Sequence, residues 1–246
     1  MKTNRQILRK YFDFAQHKHS AILALIVVLA AALPLVACAK EPAENGMITM
    51  TTKSSKVSLI VEGSKDISID WGDGKKSNVN DAILDGISEW LYFNYDYLSS
   101  TVHNIVITGN VTLLYCGANQ LTDLDVSRNP TLTDLNCGRN QLTALDVSKN
   151  IALERLESNQ NQLTALDVSK NRALRNLSIV GNQFTAAALN DLFRMLPDRS
   201  NLEPEEVGGI YIQTYSGGGN PGNNNCDRSI AEVRGWIFHA IRELIK

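Results

Sequence analysis

Two aspartates sit close enough in sequence to act together: Asp70 and Asp73, in the run Asp70-Trp71-Gly72-Asp73-Gly74. Paired carboxylates can serve as general acid and base in hydrolysis, and their oxygens also suit calcium. Calcium takes about six to eight oxygen ligands, for which two carboxylates are a thin set. Gly-Asp-Gly is also turn chemistry, in which Asp oxygens bond nearby backbone, and that is the expected role of both residues. The imidazole and thiol inventory is sparse. His17, His19, His103 and His239, with Cys38, Cys116, Cys137 and Cys226, are scattered along 246 residues. A nucleophile triad or a His/Cys metal site needs several such groups together, so no metal, no cofactor and no enzymatic activity are expected.

Cys38 points to a different chemistry. Residues 1–20 carry Lys2, Arg5, Arg9, Lys10 and Lys18 against the single acid Asp13, and residues 21–37 are an uncharged apolar run, as in a secretion signal. The run closes with Leu35-Val36-Ala37-Cys38, which resembles the bacterial lipobox, where small residues lead to a Cys that is acylated and becomes the mature N-terminus. Residues 1–37 are expected to be a lipoprotein signal peptide and Cys38 a lipid anchor. The alternative, a plain transmembrane helix, must accommodate Pro34 in a run at the short edge of what spans a bilayer. Removing residues 1–37 takes away five basic residues and one acidic residue, leaving 19 basic against 25 acidic and a net charge of −6. That balance argues against nucleic acid as a partner. Residues 38–45, with Lys40, Glu41, Pro42 and Glu44, read as a short polar tether, and their charge resembles the acidic export tag of surface-displayed Bacteroidetes lipoproteins. The expected location is the cell envelope, as a surface-exposed outer-membrane lipoprotein.

From residue 46 the pattern has period 2. Ile48/Met50, Val57/Leu59/Val61 and Ile67/Ile69/Trp71 alternate with polar residues, and Gly63-Ser64 and Gly72-Asp73-Gly74 supply turns. A small β-sandwich of antiparallel strands is expected over 46–102. The Asp70 to Gly74 motif, Tyr95-Asp96-Tyr97 and the strand at 102–107 resemble the PKD-like (polycystic-kidney-disease) immunoglobulin-like domain, which implies that Trp71 fills its core. Residues 83–93 depart from that spacing; a bulky insertion or short helix is expected, with Trp90, Tyr92 and Phe93 in the core.

Residues 121–129, Leu-Thr-Asp-Leu-Asp-Val-Ser-Arg-Asn, recur in kind at 142–150 and 163–171, a step of 21. The intervening halves align as Leu132/Leu153/Leu174, Leu135/Leu156/Leu177 and Asn140/Asn161/Asn182, with a degenerate first copy at 103–120. About four coils are expected over 103–184. Leu145-x-Val147-x-x-Asn150 copies Leu135-x-Cys137-x-x-Asn140, so each coil nests two half-repeats and carries extended segments on both sides. Alternate side chains point into a narrow interior and must be apolar. Two Asn ladders, Asn119/Asn140/Asn161/Asn182 and Asn129/Asn150/Asn171, are expected to bond backbone groups that no strand reaches. Cys116 and Cys137 fall at equivalent inward sites one coil apart, so a disulfide is geometrically conceivable; free thiols are expected, because the third copy has Ser158 there. The period resembles the leucine-rich repeat, whose signature stands here as Leu132-x-x-Leu135-x-Cys137-x-x-Asn140-x-Leu142.

The copies differ on one face only. Asp125/Asp146/Asp167, Ser127/Ser148/Ser169 and Arg128/Lys149/Lys170 scarcely vary, which a solvated face neutralised by its own basic row explains, with a calcium ladder as the sharper alternative. On the opposite side Tyr115, Asn136, Glu157 and Ser178 share a row, and Ala118, Arg139, Gln160 and Gly181 another. A partner is expected to be read there, through Tyr115, Arg139, Glu157 and Gln160. Four coils at ~4.8 Å give about 300 Å², well under the ~800 Å² per partner of a standard interface, so avidity between anchored copies is the expected source of adhesion.

Residues 185–246 are expected to form an α-helical C-terminal cap. Thr185 starts a helix with Leu189, Leu192, Phe193 and Leu196 on one face, and a second helix is expected from Cys226 through an apolar stripe at Ile237, Ala240, Ile241 and Leu244, with only a loop between. Lipobox, PKD-like motif, repeats and the Cys226-Asp227-Arg228-Ser229 segment together resemble the BspA-like leucine-rich-repeat lipoproteins of Bacteroidetes, which implies a non-enzymatic, protein-binding adhesion protein. Glycan binding through Trp90, Tyr92, Tyr95 and Tyr97, and hydrolysis by Asp70 and Asp73, are the competing functions.

Overall fold

Apolar residues at every second position build the first strands of the computed structural model, which describes residues 46–84, 89–201, 208–214 and 219–241. Signal, Cys38 and tether lie outside the described residues. β1 (Met47–Thr52), β2 (Lys56–Gly63), β3 (Ser68–Asp70) and β6 (His103–Thr108) bury Ile48, Met50, Val57, Leu59, Val61, Ile69, Ile105 and Ile107. β4 (Lys76–Asn78), β5 (Leu91–Asp96), β7 (Val111–Tyr115) and β8 (Leu121–Arg128) complete this part. One sheet of five strands runs β4-β3-β6-β1-β8, antiparallel at every pairing.

The repeats supply β9 (Asp134–Asn136), β10 (Arg155–Glu157) and β11 (Asn176–Ser178), followed by β12 (Gly208–Thr214) and β13 (Trp236–Ile241). With β7 they form a parallel stack in which Leu114, Leu135, Leu156 and Leu177 lie side by side, facing inward, with Ile210 next. β2 pairs antiparallel with both β7 and β5, so the second sheet has eight strands in the order β13-β12-β11-β10-β9-β7-β2-β5. The hydrogen-bonded sheet therefore runs without interruption across residue 103, and the inward residues of both sheets belong to one core cluster. The protein is mainly β.

Both Asn ladders are present. Asn140, Asn161 and Asn182 each accept from the backbone N–H of Leu121, Leu142 and Leu163, at 3.0 Å. Their Nδ2 groups donate to the carbonyls of Cys137, Ser158 and Ile179 in the same coil and of Cys116, Cys137 and Ser158 in the coil before. Asn150 and Asn171 donate to Val126, Asn129, Val147 and Asn150 carbonyls at 2.8–2.9 Å. Cys116 and Cys137 are buried free thiols between the ladders.

Three expectations need correction. The cap is only partly helical: α1 (Ala186–Met195), capped by the Thr185 hydroxyl, buries Leu189, Leu192 and Phe193, but α2 is the single turn Ser229–Glu232. Gly235, at φ 76°, breaks the chain direction, and Trp236-Ile237-Phe238 pairs with β12 as a strand, because a run of β-branched and aromatic residues can bury its rings against an available parallel edge. β12 itself lies where only a loop is expected. Gly208 is required there, since a Cβ would lie 2.4 Å from the Trp236 ring. Finally, the described residues of 83–93 form no helix. Ile83 bridges Tyr92, β5 pairs along β2, Phe93 enters the core, and Trp90 and Tyr92 remain half-buried; residues 85–88 lie outside the described residues.

Candidate functional site

The Asp70/Asp73 pair is structural. Asp70 accepts from the Gly72 N–H at 3.0 Å and pairs with Lys76 at 3.1 Å; Asp73 accepts from the Lys75 N–H at 3.1 Å and from the Tyr95 hydroxyl at 2.7 Å. The Gly72 bond, then Lys76, lowers the Asp70 pKa, and the Tyr95 bond lowers that of Asp73. A general acid needs the opposite shift. Tyr95 lies flat on the Trp71 ring with centroids 4.4 Å apart, and burial followed by Asp73 pushes its pKa up to about 12. Tyr97 is buried, donates to the Trp71 carbonyl at 2.7 Å and stacks on His103. The supposed sugar-stacking set is thus divided: Tyr95 and Tyr97 pack around Trp71, while Trp90, donating to Glu62 at 3.1 Å, and Tyr92 meet each other with ring centroids 6.5 Å apart.

On the uniform face each carboxylate is held by backbone rather than by the basic row. Asp125, Asp146 and Asp167 accept from the Ser127, Ser148 and Ser169 N–H at 2.8 Å. Those bonds are the main cause of the lowered pKa of Asp146 and Asp167, with Lys149 and Lys170 adding less. The face repeats because each turn needs the same cap.

The variable face belongs to the eight-stranded sheet. Strand pairing aligns Tyr92, Ile60, Tyr115, Asn136, Glu157, Ser178, Tyr211 and His239 in one outward row. A second row, two residues earlier on the parallel strands, contains Leu113, Asp134, Arg155, Asn176, Gly209 and Ile237. Tyr115 and Glu157 share the first row; Trp90 meets the Tyr115 ring edge-on at 5.7 Å, and Asn136 donates to Glu157 at 2.8 Å. Burial, then Asp134, raises the Tyr115 pKa against the opposing effect of Arg155, which pairs with Asp134 at 3.6 Å. Arg139 and Gln160 do not lie on the strands. They occupy the turn just beyond, exposed, at φ 56° and 53°, with Ala118 (φ 60°) and Gly181 (φ 71°) in the same row, all in the left-handed region. Cys38 lies outside the described residues.

A depression of about 280 Å³ opens on this face between β10, β11 and β12, lined by Arg155, Glu157, Asn159, Asn176, Ser178 and Tyr211 among others. Of these, only Glu157 is a site residue expected from the sequence. Arg155 and Asn176 are readable in hindsight, because they stand two residues before Glu157 and Ser178 and must share their face. Tyr211 and His239, stacked with centroids 5.1 Å apart, carry no repeat signal at all.

No protein-family model matches the chain, and no curated protein matches it. Among solved structures it is similar to the functional domain of InlJ from Listeria monocytogenes, described as including a cysteine ladder, with 29% identity and a TM-score of 0.36. That match covers 53% of this chain and 25% of the other, so the chain spans a quarter of the length of the protein it matches.

Proposed function

We propose that the chain is a lipid-anchored envelope protein that binds a protein partner at the cell surface, with a PKD-like β-sandwich continued by a leucine-rich-repeat stack. The observation that carries this reading is the contrast between two faces of one set of coils. One face repeats Asp-Ser-Lys because its turns need that chemistry; the other changes at every strand and presents Tyr and Arg, residue types that dominate binding energy where partners meet, beside Glu and Asn. Eight strands at ~4.8 Å extend the binding face to about 34 Å, on the order of 500 Å² at ~15 Å width, still short of the ~800 Å² of a standard interface. Individual contacts are weak, and many copies anchored through Cys38 hold by avidity.

Immobilised mature chain should retain cell-surface material that a Tyr115→Ala/Arg139→Ala/Glu157→Ala/Gln160→Ala variant does not. Equal recovery would reject the face. Acyl labelling in cells should disappear in Cys38→Ala; an unlabelled, uncleaved wild-type chain would reject the anchor.

A further inference from the structure

We infer that the depression beside Tyr211 is a subsite for one neutral sugar ring, so that the partner of this face carries glycan; this rests on the binding role proposed above. Its volume, about 280 Å³, suits a single ring rather than a folded segment of protein. Its walls pair one aromatic plane with a mixed set of polar groups. Tyr211 supplies the ring, held from behind by His239 with planes 28° apart. Arg155 offers donors, Glu157 acceptors, and Asn159 and Asn176 both. Vicinal hydroxyls are donors and acceptors at once, and the apolar face of a pyranose lies on an aromatic ring as other amphipathic groups do.

Part of this set is already committed, which fixes its geometry. Asn159 Oδ1 accepts from the Ser178 hydroxyl at 2.7 Å and the Val180 N–H at 2.8 Å, which turns its Nδ2 outward. One Glu157 oxygen accepts from Asn136 at 2.8 Å, leaving the other for a ligand. The Asn176 side-chain amide and the Tyr211 hydroxyl make no hydrogen bond among the described residues, yet both stand on paired strands. Arg155, the one cation of the lining, is already paired to Asp134, and Glu157 is an anion, so the depression offers no free positive charge and does not suit an anionic occupant. Gly209 pairs with Asn176 on the strand that carries Tyr211, at the side of the depression; a Cβ there would meet His239 and Tyr211 only at ordinary contact distances of 3.5 and 3.8 Å.

That glycine gives the test. Saturation-transfer NMR with a panel of neutral manno-, gluco-, galacto- and xylo-oligosaccharides should show transfer for at least one of them, unchanged between low and ~0.5 M salt because no ion pair forms. Gly209→Val adds bulk beside Asn176 and the Tyr211 ring without backbone strain and should weaken binding about tenfold or more with its melting temperature retained, as should Tyr211→Ala. The source is resolved by two arms, binding to isolated polysaccharide and binding to partner protein before and after enzymatic deglycosylation. No transfer from any neutral saccharide, binding confined to anionic ones, or full binding by Gly209→Val would each overturn the subsite. Cell-surface capture that persists in Gly209→Val would leave the broader adhesion reading intact while removing this one.

Discussion

Asn161→Ala and Asn150→Ala remove the same side chain from the two ladders, yet they should differ in cost by about 2 kcal/mol. Asn161 accepts from the Leu142 N–H at 3.0 Å and donates to the carbonyls of Cys137 and Ser158. Both carbonyls keep a second donor when Asn161 is removed, Asn140 and Asn182 respectively. The Leu142 N–H does not, and it is buried. Stranding a buried donor costs ~1–3 kcal/mol, and each of the two other lost bonds about 1 kcal/mol net, so Asn161→Ala should cost ~3–5 kcal/mol. Asn150 donates to Val126 and Asn129, whose carbonyls retain the Asn129 and Leu132 N–H groups, and its Oδ1 has no partner among the described residues. Its loss strands nothing and should cost ~1–2 kcal/mol. Urea unfolding followed by circular dichroism at 25 °C measures both, with coincident fluorescence transitions as the check on two-state behaviour, which repeat stacks can lose. Equal costs, or a larger cost for Asn150→Ala, would refute the accounting.

Arg139→Gly should stabilise the fold by ~0.5–1 kcal/mol, the left-handed strain of ~1–2 kcal/mol relieved less the extra unfolded-state entropy of glycine, while weakening partner binding; a lower urea midpoint would contradict it. Gly208→Ala should destabilise by ~1–3 kcal/mol through its clash with Trp236, seen as a lower melting temperature. Burial pushes the Cys137 thiol up to about 12, and burial followed by Cys137 raises Cys116 well above its usual 9.0. The folded state therefore holds protons that the unfolded chain releases, and the stability this confers is complete below pH 9.0 and lost as pH rises towards 12. Melting temperatures from pH 7 to 11 should fall accordingly, and a Cys116→Ala/Cys137→Ala variant should flatten that slope.

What the sequence disclosed follows the strength of each local signal. Period-2 alternation located β1, β2 and β3, and the 21-residue step placed the inward Leu of the repeats and both Asn ladders, because a narrow interior admits few alternatives. The end of the chain was opaque for the opposite reason. Residues 236–241 carry apolar residues that satisfy a helical stripe and a strand equally well, and only the open edge of β12 decides between them. The variable face was half legible: Tyr115 and Glu157 followed from the repeat, whereas Tyr211 joined them through a pairing 33 residues downstream of Ser178, outside any period.

The place of β1 in its sheet sets how the molecule bears load. It is the first described strand, yet it lies between β6 and β8 and pairs with both along its length. A pull along the strand from the segment before it loads two antiparallel ladders in shear, so their bonds must yield together. β13, at the edge of the other sheet, has one neighbour and peels from it bond by bond. Single-molecule pulling through residue 46 should accordingly rupture at higher force than pulling through β13, which would make the N-terminal end of the described fold the mechanically stronger attachment.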